Sequence, residues 1–251
     1  LTIAYHGTPL TPNDLLLSLA GRHFCVSYFR PDQIEFCDHL GQSLMIDNGA
    51  FSAWKANDKR RAAGQEPVEF NRSYWEGYHE FCRRWCARPT TWAVIPDVID
   101  AGEQEQDALI REWPLELRDR AAPVWHMDER IDRLLRLVDE WPRVCIGSTA
   151  EFRVVKSPDW IARMNEVWDQ LAGRRRFTPW LHMLRGMQLL LPGCPWPFGS
   201  VDSTDLARNH NRLNRYSERK VWALKQRADR WDRRQCPPAW SPPPSILGAA
   251  A

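Results

Sequence analysis

The chain has 251 residues, 43% of them hydrophobic, and a formal net charge of +2. That length supports one sizeable core and excludes a disulfide-stapled miniprotein or a low-complexity chain. The near-neutral balance excludes a polycationic or acidic solvating segment as the dominant character, so any charge effect on partners must come from local clustering.

Eight short apolar runs recur along the chain, at residues 2–5, 23–28, 44–47, 92–97, 123–126, 144–147, 178–183 and 199–202. Continuously apolar runs of this length read as parallel strands buried on both faces. Helical patterns fall between them. Residues 14–19 form a short first helix, and 71–86 is aromatic-rich and amphipathic. Residues 103–118 are charged on one side, and 129–141 carry Leu134, Leu135 and Val138 at helical spacing behind an acidic first turn. Residues 158–171 follow Ser157 and open on Pro158, a capping residue and a first-turn proline. Residues 53–67, polar and basic with Gly64, read as an inserted loop after the third strand. Strands alternating with helices predict a (β/α)8 barrel, with an open doubly wound sheet as the competing architecture. The barrel is expected over residues 1–234, with a basic helical region at its end and a proline-rich tail over 235–251.

Seven cysteines are too many for one disulfide, odd in number, and unneeded in a core of this size. Cys82 and Cys86 share a helical face and invite comparison with a metal pair, but two inert thiols are the simpler reading. No Cys-x-Cys-x-x-Cys cluster and no His-Glu-x-x-His occurs, so no metal is expected. Without a signal peptide or a membrane-spanning run, a cytoplasmic protein is expected, or one in the host cytoplasm if phage-encoded.

Polar residues follow the strands repeatedly: Asp47-Asn48-Gly49, Asp97, His126, Gly147-Ser148, His182 and Asp202-Ser203. In a barrel these strand ends meet at one face, where carboxylates from different strands surround a small substrate. Each acid alone also has a structural explanation, as a helix cap or a turn. An ionised Asp202 after the last strand suits a nucleophile toward an anomeric carbon, and a second carboxylate can handle the proton of a leaving or entering group. The residues after it are unevenly basic, including Arg208, Arg212 and Arg215. Such a stretch reads as a phosphate-backbone contact or as a solvated helix face. Arg174-Arg175-Arg176 adds a second basic run.

The segment Asp47-Asn48-Gly49-Ala50-Phe51-Ser52 and the segment Val201-Asp202-Ser203-Thr204-Asp205-Leu206-Ala207-Arg208-Asn209 carry a resemblance. They resemble the Asp-Ser-Gly-Gly-Phe-Gln and Phe-Asp-Cys-Val-x-Pro-Thr-Arg-Asn stretches of the tRNA-guanine transglycosylase superfamily. The likeness is greatest to the phage and bacterial members that insert 7-deazaguanines into DNA, relatives of the queuosine enzymes. It implies a (β/α)8 barrel that exchanges guanine for preQ0 or a relative through a covalent aspartyl-glycosyl intermediate. On this likeness Asp202 is the nucleophile and Asp47 the proton acceptor beside the reacting base. Asn48, Gly49, Phe51, Asp97, His126, Gly147, Ser148, His182 and Met183 line the base pocket, and Arg208, Asn209, Arg212 and Arg215 meet the nucleic acid. Neither ATP nor a redox cofactor is implied. The implied partners are DNA in preference to tRNA and a free 7-deazaguanine base, with no membrane and with a homodimer as an admissible assembly. Ala50 and Ser52 depart from the family stretch, and the family's zinc cluster is absent. A tRNA-acting enzyme, a catalytically inactive nucleic-acid-binding barrel and a sugar hydrolase are the competing functions.

Overall fold

A computed structural model of the chain describes residues 1–67, 72–99, 101–174, 179–210 and 217–242. Nine parallel strands appear in one sheet: β1 (Ile3–Gly7), β2 (His23–Ser27), β3 (Ser43–Asp47), β4 (Thr91–Val94), β5 (Ala121–Ala122), β6 (Val124–His126), β7 (Val144–Gly147), β8 (Leu181–Met183) and β9 (Ser200–Ser203). Their order is β5-β4-β3-β2-β1-β9-β8-β7-β6. The two ends of that order are consecutive in the chain, separated only by Pro123. The Ile95 amide donates to the Ala122 carbonyl on one side, and the Cys145 amide to the Pro123 carbonyl on the other. A single strand, interrupted where proline lacks an N–H, therefore closes an eight-stranded barrel. The open-sheet alternative falls, and the expected strands survive with ends moved by a few residues. Of the run expected at 178–183, Thr178 lies outside the described residues.

Strand alternation divides the apolar residues into two cores. Tyr5, Cys25, Met45, Trp92, Val94, Ala122, Val124 and Cys145 fill the barrel interior. Their neighbours along each strand, such as Phe24, Ile46, Trp125, Ile146, Met183 and Val201, face the helices. Near the interior's centre the Trp92 indole and the Ser43 hydroxyl donate to the Tyr5 oxygen at 2.9 and 3.1 Å. The Tyr5, Trp92 and His182 rings meet edge-on, 5.3–6.0 Å between centres.

The outer ring is α1 (Asn13–Leu17), α2 (Ile34–Leu40), α3 (Ala50–Ala62), α4 (Arg72–Trp85), α5 (Glu103–Glu112), α6 (Ile131–Glu140), α7 (Pro158–Arg174), α8 (Asp205–Asn209) and α9 (Ser217–Asp232). The expected start of α4, Asn71, lies outside the described residues. The helix expected over 103–118 ends before Pro114 and continues as a 3-10 turn, Leu115–Arg120. The Ser157 hydroxyl caps α7 by accepting the Trp160 amide at 3.3 Å, as the sequence predicts. The inserted loop expected over 53–67 is instead mostly α3. Between Ala50 and Ala63 there is neither glycine nor proline, and alanine, lysine and arginine favour a helix. Lys59, Arg60 and Arg61 occupy its last turn and Gly64, φ 69°, follows its end.

Of the proline-rich tail expected over 235–251, residues 243–251 lie outside the described residues, and the described part packs on the barrel. The Cys236 amide donates to the Thr2 hydroxyl at 3.0 Å, and the Trp240 indole to Asp169 Oδ1 at 2.8 Å. α9 buries Leu224 and Ala228 as the last helix of the ring. Arg227 on it binds Asp205 through Nε at 2.6 Å, while Asp229 and Asp232 pair with Arg22. Within the basic stretch, Arg227 is thereby structural. Arg212, Arg215, Arg175 and Arg176 lie outside the described residues. Cys82 and Cys86 are buried between α4 and the sheet. Among the described residues, no helix is long and apolar enough to cross a membrane.

Candidate active site

The strand ends converge as a closed parallel barrel requires, at the C-terminal mouth. β3 ends on Asp47, and Asp202 points inward from β9 beside Tyr5 of β1. Asp97 lies on the loop after β4, His126 ends β6, and Gly147 ends β7.

Asp202 is 8% exposed and its two oxygens are treated differently. Oδ1 accepts the Arg185 backbone amide at 2.6 Å and faces His182 Nε2 at 3.3 Å. His182 is fixed in turn by Ser200, with Nδ1 2.8 Å from the hydroxyl. Among the described residues, Oδ2 accepts no hydrogen bond. One oxygen is thus anchored and the other is free to react.

Asp47 is half-buried at the same mouth. Burial, then the charge of Asp202, and to a lesser degree that of Asp97, push its carboxyl up to about 7, against the Ser27 hydroxyl and the Gly49 amide. A carboxyl so placed exchanges its proton at neutral pH, which suits a general acid and base. Cys25 and Cys145 sit within reach of the same charges. Burial first, and then Asp202 and its acidic neighbours, push both thiols well above their usual range, so they are neutral and poor nucleophiles.

Asp97 belongs to a second, buried chain of charge. Asn48 Nδ2 donates to Asp97 Oδ1 at 2.7 Å and to the Ile95 carbonyl at 2.8 Å, and Asn48 Oδ1 accepts the Ala50 amide at 2.8 Å. Asn48 therefore spends its side chain on joining the β3 and β4 loops rather than on a pocket wall. His126 Nε2–H donates to Asp97 Oδ2 at 2.9 Å, and its Nδ1 lies 3.4 Å from Glu129 Oε1. Among the described residues Glu129 Oε1 has no other partner, and a proton on Nδ1 gives it one, with Gln106 Nε2 also 3.3 Å from that nitrogen. Burial opposes that proton, but Asp97 and Glu129 together outweigh it and raise His126 to about 10. Arg133 continues the chain, with Nη1 at 2.5 Å from Glu129 Oε2 and Nε at 3.0 Å from Asp107 Oδ1. Glycine is required at two points here. A Cβ on Gly147 would lie 2.9 Å from the His126 ring, and one on Gly49, φ 84°, 2.9 Å from Phe29 Cβ.

Several predicted residues are not at the mouth's reactive centre. Met183 faces outward into the helix layer, because His182 takes the inward position and alternation sends the next residue out. The Ser148 hydroxyl accepts the Trp160 indole N–H at 3.0 Å and is packed against Met127. Asn209 binds back to Asp205 of α8, with Nδ2 at 2.9 Å from its carbonyl. Arg208 is exposed on α8, and Phe51 lies in the first turn of α3 at the mouth. Sequence reading missed Arg185, Glu129 and Arg133. The only signal for Arg185 is its place just past β8, and Glu129 and Arg133 resemble ordinary helix-surface residues. A groove of about 550 Å3 between α5 and α6, lined by Trp113, Arg118 and Trp141 among others, lies on the outer ring away from these strand ends.

No family model and no curated protein matches the chain. Among solved structures, two variants of the tryptophan synthase alpha-subunit from the hyperthermophile Pyrococcus furiosus are similar to it. Each is 10% identical, with TM-scores of 0.46 and 0.47, spanning 89% and 90% of this chain and 94% and 95% of theirs. A likeness at that level carries no argument about chemistry.

Proposed function

We propose that the protein is a pentosyltransferase that exchanges guanine in DNA for a 7-deazaguanine base, preQ0 or a relative. The observation that carries the reading is the carboxylate pair at the mouth. Asp202 is held by one oxygen with the other unengaged, beside an Asp47 whose carboxyl is raised to about 7. In the first step Asp202 Oδ2 attacks C1′ and the C1′–N9 bond breaks. Its electron pair leaves with guanine, which takes a proton from Asp47. In the second step Asp47, now a carboxylate, removes the N9 proton of the entering base. That nitrogen attacks C1′ and releases Asp202. Neither step changes an oxidation state, so no redox partner or nucleotide cofactor enters. A target base within a duplex must be turned out of the stack to reach the mouth. Asp97 already accepts from Asn48 and His126, and each of its oxygens keeps one lone pair for a donor on the purine edge.

The test is release of guanine from radiolabelled DNA, and in parallel from tRNA, with preQ0 or preQ1 supplied. Release from DNA that depends on the added base, and that Asp202→Asn abolishes, supports the reading. Release from tRNA alone moves the activity to that polymer with the same chemistry. Base-independent release makes water the acceptor and the protein a glycosylase. No release from either polymer leaves a binding barrel without this activity, and undiminished turnover by Asp202→Asn removes Asp202 as the nucleophile.

A further inference from the structure

Arg185 follows β8 at the rim of the mouth with a left-handed backbone, φ 56°. That conformation is uncommon for a long side chain and persists where surrounding contacts impose it. Here the Arg185 amide is tied to Asp202 Oδ1 at 2.6 Å. Its guanidinium carbon lies 3.9 Å from the centre of the Phe51 ring. That ring is stacked on Trp54, 5.9 Å between centres and 22° between planes. Asp202 Oδ1 faces His182 Nε2 instead, at 3.3 Å, and among the described residues no carboxylate pairs with Arg185. An aromatic face steadies a guanidinium without consuming its N–H donors, so this cation is held in place with its hydrogen-bonding capacity unspent. The charges of Asp202, Asp47 and Arg208 all reach it.

Asp202, and Asp47 when ionised, repel a polyanion at the mouth, while Asp97 is bound to His126, so a nucleic-acid strand needs a compensating cation at the rim. We propose that Arg185, seated on Phe51 beside Asp202, is an anion clamp that takes a phosphodiester oxygen of the strand being processed, with the exposed Arg208 as its second contact. Arginine suits this role because its planar fork presents paired donors to phosphate oxygens. The identity of the anion rests on the base-exchange reading. The geometry of the clamp does not.

The test is fluorescence anisotropy of a fluorescein-labelled single-stranded oligodeoxynucleotide over a salt series. It compares wild type with Arg185→Gln, Arg185→Gly and, as a control on the outer ring, Arg111→Gln. Arg185→Gly relieves the left-handed backbone and so keeps the fold while removing the cation. Both Arg185 variants are expected to bind more weakly and to flatten the slope of log K against log salt by about one, with Arg111→Gln unchanged. With base exchange as the readout, KM for the polymer rises while kcat stays within about twofold. Unchanged affinity and slope in both variants overturn the clamp, as does failure of the wild type to bind the oligonucleotide. Loss of kcat with KM intact also overturns it, marking Arg185 as electrostatic support for Asp202. If an Arg185-dependent slope accompanies no guanine release, the base-exchange reading falls and the clamp stands. If guanine is released and neither variant alters KM, the clamp falls and the reading stands.

Discussion

At the scale of single residues, the mouth separates groups that react from groups that hold them. Asp47 is raised from 3.8 to about 7, chiefly by burial and by Asp202. On the proposed base-exchange reading, an Asp47 acting as base gives activity on the entering base an ascending limb near pH 7. Asp47→Asn removes that limb and lowers kcat/KM by about 100-fold or more, measured as exchange rate against pH. The same substitution stabilises the fold at pH 8, by roughly 1–3 kcal/mol, because the native state no longer carries a disfavoured anion. At pH 4 the gain is small, since the carboxyl is already protonated there. Glu129 is the converse case. It is buried between His126 and Arg133, so Glu129→Ala takes one carboxylate from each of two buried cations, leaving Arg133 to Asp107 and the Val124 carbonyl and His126 to Asp97, and costs about 3–5 kcal/mol in denaturant unfolding. Asp47 and Asp202 were legible in the sequence because an acid after an apolar run is conspicuous. Arg185 was not, because Leu184-Arg185-Gly186 is an ordinary turn composition until Phe51 is brought beneath it.

At the scale of elements, the strands were legible and their partition was not. A parallel strand buried on both faces is apolar at every position, so the pattern marks the strand without saying which residues point inward. The family likeness placed both His182 and Met183 in the pocket, and the apolar pattern could not separate them; His182 takes the inward position and Met183 the outward one. α3 escaped notice for the opposite reason. It buries only Ala50, Ala53 and Asn57, so it has no apolar stripe, and its helix is carried by backbone propensity. The end of β7 offers a sharp test. A Cβ at position 147 meets the His126 ring at 2.9 Å, so Gly147→Ala displaces that ring from Asp97. It is expected to cost about 1–3 kcal/mol in thermal unfolding, with a matching fall in the His126 titration followed by NMR. Arg185→Gly, at φ 56°, is expected to stabilise by about 1 kcal/mol in the same assay, so that the rim trades stability for its cation.

At the scale of the whole molecule, ionisation sets the pH range of the fold. His126 is raised from 6.5 to about 10, so the stability tied to its proton is complete below 6.5 and is lost through 10. Asp47 moves the same way between 3.8 and about 7. Asp205 and Asp232 act oppositely. Burial raises them, but Arg227 and Trp231 in one case, and His6 and Arg22 in the other, hold them below 3.8, and that contribution disappears in acid. The melting temperature is therefore expected to be highest on the mildly acidic side of neutrality and to fall steadily to pH 10. His126→Gln should flatten the alkaline part of that curve while lowering it overall, as read by calorimetry. Removal of residues 235–242 takes the Cys236 amide from the Thr2 hydroxyl and the Trp240 indole from Asp169, and is expected to lower the melting temperature by several degrees, at about 2–4 °C per kcal/mol for a chain of this size.

By itself the sequence determined a parallel sheet alternating with helices, since eight apolar runs separated by helical spacing admit few architectures, and it marked the acids at the strand ends. Only the tertiary structure decided which of those acids stand together and how each is charged. It alone closed the barrel across Pro123, docked the final segment against β1, and set Arg185 on Phe51. The reason is that strand identity is local, written in hydrophobic pattern, whereas an acid's proton affinity and a cation's freedom depend on neighbours distant in sequence.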